Sequence, residues 1–345
     1  MDLSIAAILL LDGVTNGAIY ALLAMAIVLL FAVTRVIFIP QGEYVAFGAL
    51  TVGLFQLGQV PGTVWFLLCL AGLAALFDVV EDLRAGRAAS RAAWRAARTL
   101  AFPLAVSALA IWLAPRKPPL AVQALLTLAL VTPFGALIYR LAYRSLAQAS
   151  VLVLLIVSVG VHFALTGLGL FFFGAEGFRN PGFWDARFAL GPVSVSGQAL
   201  IILAASAALI VMLWLFFERT LHGKALRATA VNPLGARLMG IPSETAGSLS
   251  FTMAAFIGAL SGLLIGPTTT VFYDSGFLIG LKGFVAAVFA GLASYPAALA
   301  GALLVGVLEA FSSFWASAFK EVIVFTLIVP VLLWRSMRDL HTDEE

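Results

Sequence analysis

Charge is scarce in this chain. Only 11% of its 345 residues are Asp, Glu, Lys or Arg, against about a quarter in soluble globular proteins. That excludes an ordinary soluble domain with a solvated surface all round. Cysteine is scarcer: Cys69 stands alone, so no disulfide can form within the chain. The three histidines, His162, His222 and His341, are too widely spaced for a metal motif. No G-x-x-x-x-G-K-[ST] phosphate loop is present. His222-Gly223-Lys224 fails that pattern because Glu218 stands where its first glycine belongs. The chain therefore binds no ATP by that motif. H-E-x-x-H and G-x-S-x-G are missing too, which argues against a membrane protease or other enzyme. Met1-Asp2-Leu3-Ser4 has no basic n-region, so the first apolar run is expected to stay rather than be cleaved as a signal peptide.

What the chain has is apolar length. Sixty-two per cent of it is hydrophobic. A bilayer core about 30 Å thick needs roughly 20 mostly apolar residues per helix. Such runs occur at about 5–33, 44–60, 62–78, 100–114, 119–139, 151–173, 198–217, 245–266, 282–294, 298–316 and 320–335. The expected fold is all-α: a polytopic transmembrane bundle of about 9–11 spans, forming one domain over residues 1–345. The runs at 62–78, 100–114 and 282–294 are short enough to be re-entrant or tilted. A net charge of +3 does not imply nucleic acid, because the basic residues sit in short loops between apolar runs. Of the 20 Lys and Arg, fourteen fall in 34–43, 84–98, 140–150, 218–242 and the C-terminus. They include Arg35, Arg84, Arg140, Arg219, Arg335 and Arg338. The other side holds Arg116, Lys117, Arg179 and Arg187, with Lys282 and Lys320 near helix ends. Positive loops face the cytoplasm, so the N-terminus is expected outside and the C-terminus inside.

Two polar segments stand out. Residues 174–197 form the longest outer loop, turn-rich, with Phe178, Phe183 and Trp184 suited to an interfacial belt or to a docking surface. In 78–98, Arg84, Arg87, Arg91, Arg95 and Arg98 recur every three or four residues. On one helix they would share a face, fit to lie on the anionic inner leaflet or to meet a partner protein.

Polar residues inside apolar runs must be paired or line a cavity. Asp12, Thr15 and Asn16 cluster on one face of the first run, beside Gly13 and Gly17, with Tyr20 further along. That face can line a solute path or pack on another helix. Glu309 lies within the tenth run and requires a partner or a proton. Glu43 opens the second run, where the helix dipole favours a carboxylate. His162 reads as a satisfied interior histidine or as a proton relay. Gly258, Ser261, Gly262, Gly266, Gly301, Ala302 and Gly306 have the spacing of close helix packing.

The segment Glu218–Pro242 contains alanine-rich helical stretches around Asn232-Pro233 and ends at Gly240-Ile241-Pro242. It reads as a rigid basic protrusion or as an ordinary inner loop. Gly223, Lys224, Ala225, Leu226, Arg227, Ala228, Asn232, Ala236, Leu238, Met239, Gly240 and Ile241 match the pattern G-[RK]-A-L-R-A-x-x-x-N-x-x-x-A-x-L-M-G-I. Leu10–Ala24, Gln41-Gly42-Glu43 with Gly48-Ala49, and Gly280–Phe284, Gly291–Ser294 and Gly306–Glu309 supply further blocks. Together these resemble permeases of the branched-chain amino acid ABC transporter family, the H-type more than its M-type sister, over about 1–60 and 130–335. Departures are Phe38-Ile39-Pro40-Gln41 before Gly42, Ala290-Gly291 and Ala293 in the later glycine block, and Arg335–Arg338 at the end. Residues 62–118 look like an atypical insertion that adds two spans.

The resemblance implies a bacterial inner-membrane permease subunit with no cofactor or metal of its own. It implies ATPase subunits bound at 218–242, through Gly223, Lys224, Arg227, Asn232, Ala236 and Gly240. It also implies a sister permease or second copy, a periplasmic solute-binding protein, and a branched-chain amino acid, urea, an amide or another small solute as cargo. Asp12, Thr15, Asn16, Tyr20 and Glu309 are the candidate path residues. A secondary transporter coupled through Glu309, Asp12 or His162, and a non-transporting membrane scaffold, are the rival classes.

Overall fold

The computed structural model describes residues 3–190, 193–327, 329–331, 333 and 337. Met1, Asp2, Arg335 and Arg338, and the end of the run at 320–335, lie outside the described residues. The helices in chain order are α1 (Leu3–Thr34), α2 (Gln41–Leu57), α3 (Gly62–Arg84), α4 (Ala89–Leu113), α5 (Leu120–Ile138), α6 (Val151–Phe173), α7 (Gly197–Arg219), α8 (Leu221–Val231), α9 (Pro233–Leu238), α10 (Ser243–Ile265), α11 (Ser275–Phe289), α12 (Tyr295–Trp315) and α13 (Lys320–Thr326). Strands β1 (Arg187–Leu190) and β2 (Val193–Ser196) pair antiparallel just before α7.

The expected polytopic helical bundle is what forms. Among the described residues, eight helices are long and apolar enough to cross a membrane: α1, α3, α4, α5, α6, α7, α10 and α12. The sequence predicts about 9–11 spans; the two interior helices α2 and α11 are shorter, and the run at 320–335 lies only partly within the described residues. At 17 and 15 residues, α2 and α11 fall short of a full crossing, and α13 has 7 residues within the described part. The short runs at 62–78 and 100–114 lengthen into helices of 23 and 25 residues, the first extended through Val79–Arg84 and the second by the alanines and arginines of 89–99, good helix formers.

Helix starts follow local chemistry. Ser150, Ser196, Thr220, Asn232 and Ser294 each cap a helix by accepting a hydrogen bond from a backbone N–H three residues on, which satisfies one orphan donor. Gly58, at φ +77°, closes α2 in the left-handed conformation that glycine adopts at no steric cost.

Helix α1 is the hub. From Gly17 to Leu30 it is buried throughout, packed by α10, α11 and α12. Its crossing with α12 depends on missing side chains. A Cβ at Gly13 would stand 2.6 Å from the Val307 Cα, and one at Gly306 would stand 2.3 Å from the Gly13 carbonyl oxygen. The small residues of α10 serve α2 likewise: a Cβ at Gly262 would meet the Val45 carbonyl at 2.2 Å.

Two expectations need correction. Residues 78–98 do not form one helix along the membrane surface. The chain turns at 85–88, with Gly86 at φ +66°, and makes an α3–α4 hairpin. The five arginines divide. Arg87 and Arg95 bond inward to Asp82, whose carboxylate is fully buried, and Arg95 and Arg140 reach buried Asp78. Arg84, Arg91 and Arg98 stay exposed, as does Trp94. The turn wins because buried carboxylates demand partners, and a straight helix would hold all five arginines away from Asp78 and Asp82.

The second correction concerns the loop 34–43. Glu43 lies in the first turn of α2, as its place at the start of the second run predicts. The neighbouring Gln41 amide donates to the Ala254 carbonyl at 2.9 Å, halfway along α10. Phe38 is buried and edge-on to Phe251, with ring centres 5.0 Å apart. The segment 36–43 thus enters the bundle rather than forming a loop on its surface. Glu43 is fully buried, and one of its oxygens lies 2.8 Å from the His162 Nδ1 on α6. His162 is a satisfied interior residue.

Candidate translocation site and coupling elbow

The path residues expected from the sequence converge on one cavity. It has a volume of about 530 Å³, and Asp12, Thr15, Asn16, Tyr20 and Glu309 all line it. Helix α1 presents the first four because a spacing of three and four residues returns to one helical face. Helix α12 brings Glu309 beside them, held close by the Gly13 and Gly306 contact. Thr15 spends its hydroxyl on the Leu11 carbonyl at 2.8 Å.

Glu309 has the partners that a carboxylate inside an apolar run requires. The Tyr20 hydroxyl donates to one oxygen at 2.6 Å, and the Lys282 ammonium donates to the other at 2.5 Å. Lys282 also lies 3.3 Å from Glu321, which is 4.0 Å from Lys320. This network ties α1, α11, α12 and α13 together at the cavity wall. Lys282, Lys320 and Glu321 are not among the path residues expected from the sequence, which names the two lysines only as cations near helix ends. Lys282 was placed near a helix end, yet it is buried in the middle of α11. A lone lysine and a lone glutamate in neighbouring apolar runs were the available signal, since each needs an opposite charge.

The same cavity is also lined by the aliphatic Ala199, Ile202, Ile265, Leu278 and Ile279, alongside Ser196, Thr268–Thr270 and Ser275. The cavity lies at the end of α7 and α10 marked by Ser196 and Thr268–Thr270. The segment 218–242 joins the other ends of those two helices. Cavity and segment therefore sit at opposite ends of the bundle.

That segment is an elbow of two helices, α8 and α9. Gly223 is buried where α8 folds back on the end of α7, and a Cβ there would lie 2.1 Å from the Phe216 carbonyl. Asn232 makes the corner: its side-chain oxygen accepts from the Gly235 N–H at 2.9 Å, and Pro233 opens α9 with the φ a first helical residue needs. Gly240 leaves α9 at φ +83°. Leu226 packs with Leu29, Val33 and Ala246, and Ala236 is buried as well. Lys224 and Arg227 are exposed, and Arg227 is paired with Glu218. Sequence reasoning stressed the basic residues. The structure adds an apolar surface of Leu221, Val231, Leu234, Leu238 and Met239, all largely exposed.

Comparison with known proteins agrees with this architecture. The family described as "Branched-chain amino acid transport system / permease component" matches residues 95–332. The high-affinity branched-chain amino acid transport system permease protein BraD of Pseudomonas aeruginosa is 27% identical over 340 residues, covering 94% of this chain and 92% of its own. The permease protein LivH of Salmonella typhimurium is 30% identical over 211 residues, covering 59% of this chain and 68% of its own. The xylose/arabinose import permease protein XylH of Sulfolobus acidocaldarius is 29% identical over 191 residues, covering 54% and 51%. With more than half its length matched to the family and an apolar helical bundle around a charged cavity, this chain belongs to the permease components of the branched-chain amino acid transport systems.

Proposed function

We propose that this permease carries a small solute, a branched-chain amino acid first among them, through the cavity at Tyr20, Lys282 and Glu309. Power comes from a separate ATPase docked on the α8–α9 elbow. The observation that carries this reading is the opposition of the two features along α7 and α10: the charged cavity at one end, the exposed apolar elbow at the other. Force applied to the elbow reaches the cavity through rigid helices. The excess of Lys and Arg on the elbow side puts that side in the cytoplasm. The cavity then faces the periplasm, where a solute-binding protein delivers. A second permease, a sister or another copy, completes the pathway.

The aliphatic wall of Ile202, Ile265, Leu278 and Ile279 suits a branched side chain, and the relatives named for branched-chain amino acids support that class. Arg84, Arg91 and Arg98 with Trp94 form a smaller basic face for anionic inner-leaflet lipid, in place of a five-arginine stripe.

The test is uptake into proteoliposomes holding the permease, its ATPase and its binding protein. Leucine uptake should require ATP and the binding protein and should survive collapse of proton and sodium gradients. Uptake that stops with the gradient and ignores ATP would return the chain to the secondary transporters.

A further inference from the structure

The cavity contains three carboxylates, Asp12, Glu309 and Glu321, and two ammonium groups, Lys282 and Lys320. Three of these five form a close group, with Lys320 at its edge. Lys282 bridges Glu309 at 2.5 Å and Glu321 at 3.3 Å, and Lys320 lies 4.0 Å from Glu321. Asp12 is left over. It makes no hydrogen bond or ion pair among the described residues, and its side chain is exposed to the cavity. Eight residues along α1 separate it from Tyr20, about 12 Å of helix, so it stands toward the mouth while the Tyr20, Lys282 and Glu309 cluster lies deeper.

Asp12 also borders a second, smaller cavity of about 300 Å³ between α1 and α12, together with Asn16, Glu309 and Lys320. Asp12 thus lines both cavities. Ala199, Ile202, Ile265, Leu278 and Ile279 give the larger cavity its apolar part.

We propose that Asp12 is a specificity-determining residue of the path, receiving the primary ammonium of the solute. The cavity thereby favours ammonium-bearing solutes with an aliphatic side chain over neutral ones such as urea or a pentose. A charge-assisted hydrogen bond to a carboxylate discriminates against a solute that lacks the donor. Lys320, weakly held by Glu321, stands on the same two cavities to meet a carboxylate at the solute's other end. The inference rests on the transport reading above and adds to it which chemical group is recognised and where.

The experiment uses the complete reconstituted complex and follows leucine uptake with wild type, Asp12→Asn and Asp12→Glu. Asp12→Asn should raise KM for leucine by roughly 10- to 100-fold, the worth of one charge-assisted hydrogen bond, with a smaller change in maximal rate. Asp12→Glu, which keeps the charge, should recover most of that loss. In addition, 3-methylbutylamine should inhibit uptake by the wild type and fail to inhibit Asp12→Asn. Wild-type KM in Asp12→Asn overturns the role of Asp12 and leaves the transport reading intact. Equal KM increases in Asn and Glu variants, with amine inhibition retained, also overturn it, since they mark a packing role. A complex that takes up urea or xylose and no ammonium-bearing solute overturns this inference and the proposed cargo together.

Discussion

The Lys282 ammonium and the Glu309 carboxylate meet at 2.5 Å inside the bundle, with the Tyr20 hydroxyl on the second oxygen at 2.6 Å. One lysine on α11 thus answers one glutamate on α12, and a tyrosine on α1 completes the shell. Breaking such a pair from one side leaves an uncompensated charge, at a cost of about 3–5 kcal/mol, whereas replacing both members is much cheaper. Lys282→Met and Glu309→Gln should each lower the thermal midpoint in detergent sharply, and the double variant should recover part of the loss, the remainder reflecting Glu321, which also loses Lys282. Stability that returns without uptake would separate the structural from the transport role. Losses that simply add would show that the two residues do not act as a pair.

The α1–α12 crossing offers a second test. Gly13→Val places atoms where the Val307 Cα already stands, and overpacking of this kind costs about 1–3 kcal/mol or more. Gly72, on α3, has nothing within 4 Å of an added Cβ. Gly72→Ala should be neutral or slightly stabilising, by up to about 1 kcal/mol, because alanine favours the helix. Equal behaviour of the two variants in a melting assay would contradict the packing described.

At the elbow, Arg227→Glu sets two carboxylates beside each other with Glu218 and should lower the yield of permease–ATPase complex while membrane insertion is kept. The swapped pair Glu218→Arg with Arg227→Glu restores the internal ion pair. If it restores complex yield too, Arg227 shapes the elbow rather than touching the ATPase. Leu234→Ser with Met239→Ser should weaken association more than either charge change, measured by co-purification. Unaltered yield would remove the apolar surface from the interface.

His162→Leu should destabilise the protein, because it strips the partner from a fully buried Glu43. His162→Gln, which can still donate to the carboxylate, should be milder. The thermal midpoints of the two variants decide the point, and reversal of their order would mean that ring packing against Phe277, 4.8 Å away, outweighs the hydrogen bond.

On the hairpin, Asp82→Asn should loosen the 84–98 region through weaker bonds to Arg87 and Arg95, seen as faster amide exchange there. Arg91→Glu with Arg98→Glu should reduce retained anionic phospholipid in native mass spectra and spare uptake. Lipid retention equal to the wild type would leave the outward arginines as a merely solvated face.

The sequence by itself determined the membrane bundle, the family blocks and the polar face of α1, because apolar length and helical periodicity are local properties. It also determined that Glu309 needs a partner, from the cost of a lone charge in lipid. Only the tertiary structure decided that the partners are Lys282 and Tyr20, that Glu43 belongs to His162, and that Arg87 and Arg95 turn inward while Arg91 and Arg98 do not. These pairings join residues as far apart as 289 positions. Helix packing sets them, through which small residues let which backbones touch, and no local pattern along the chain records that choice.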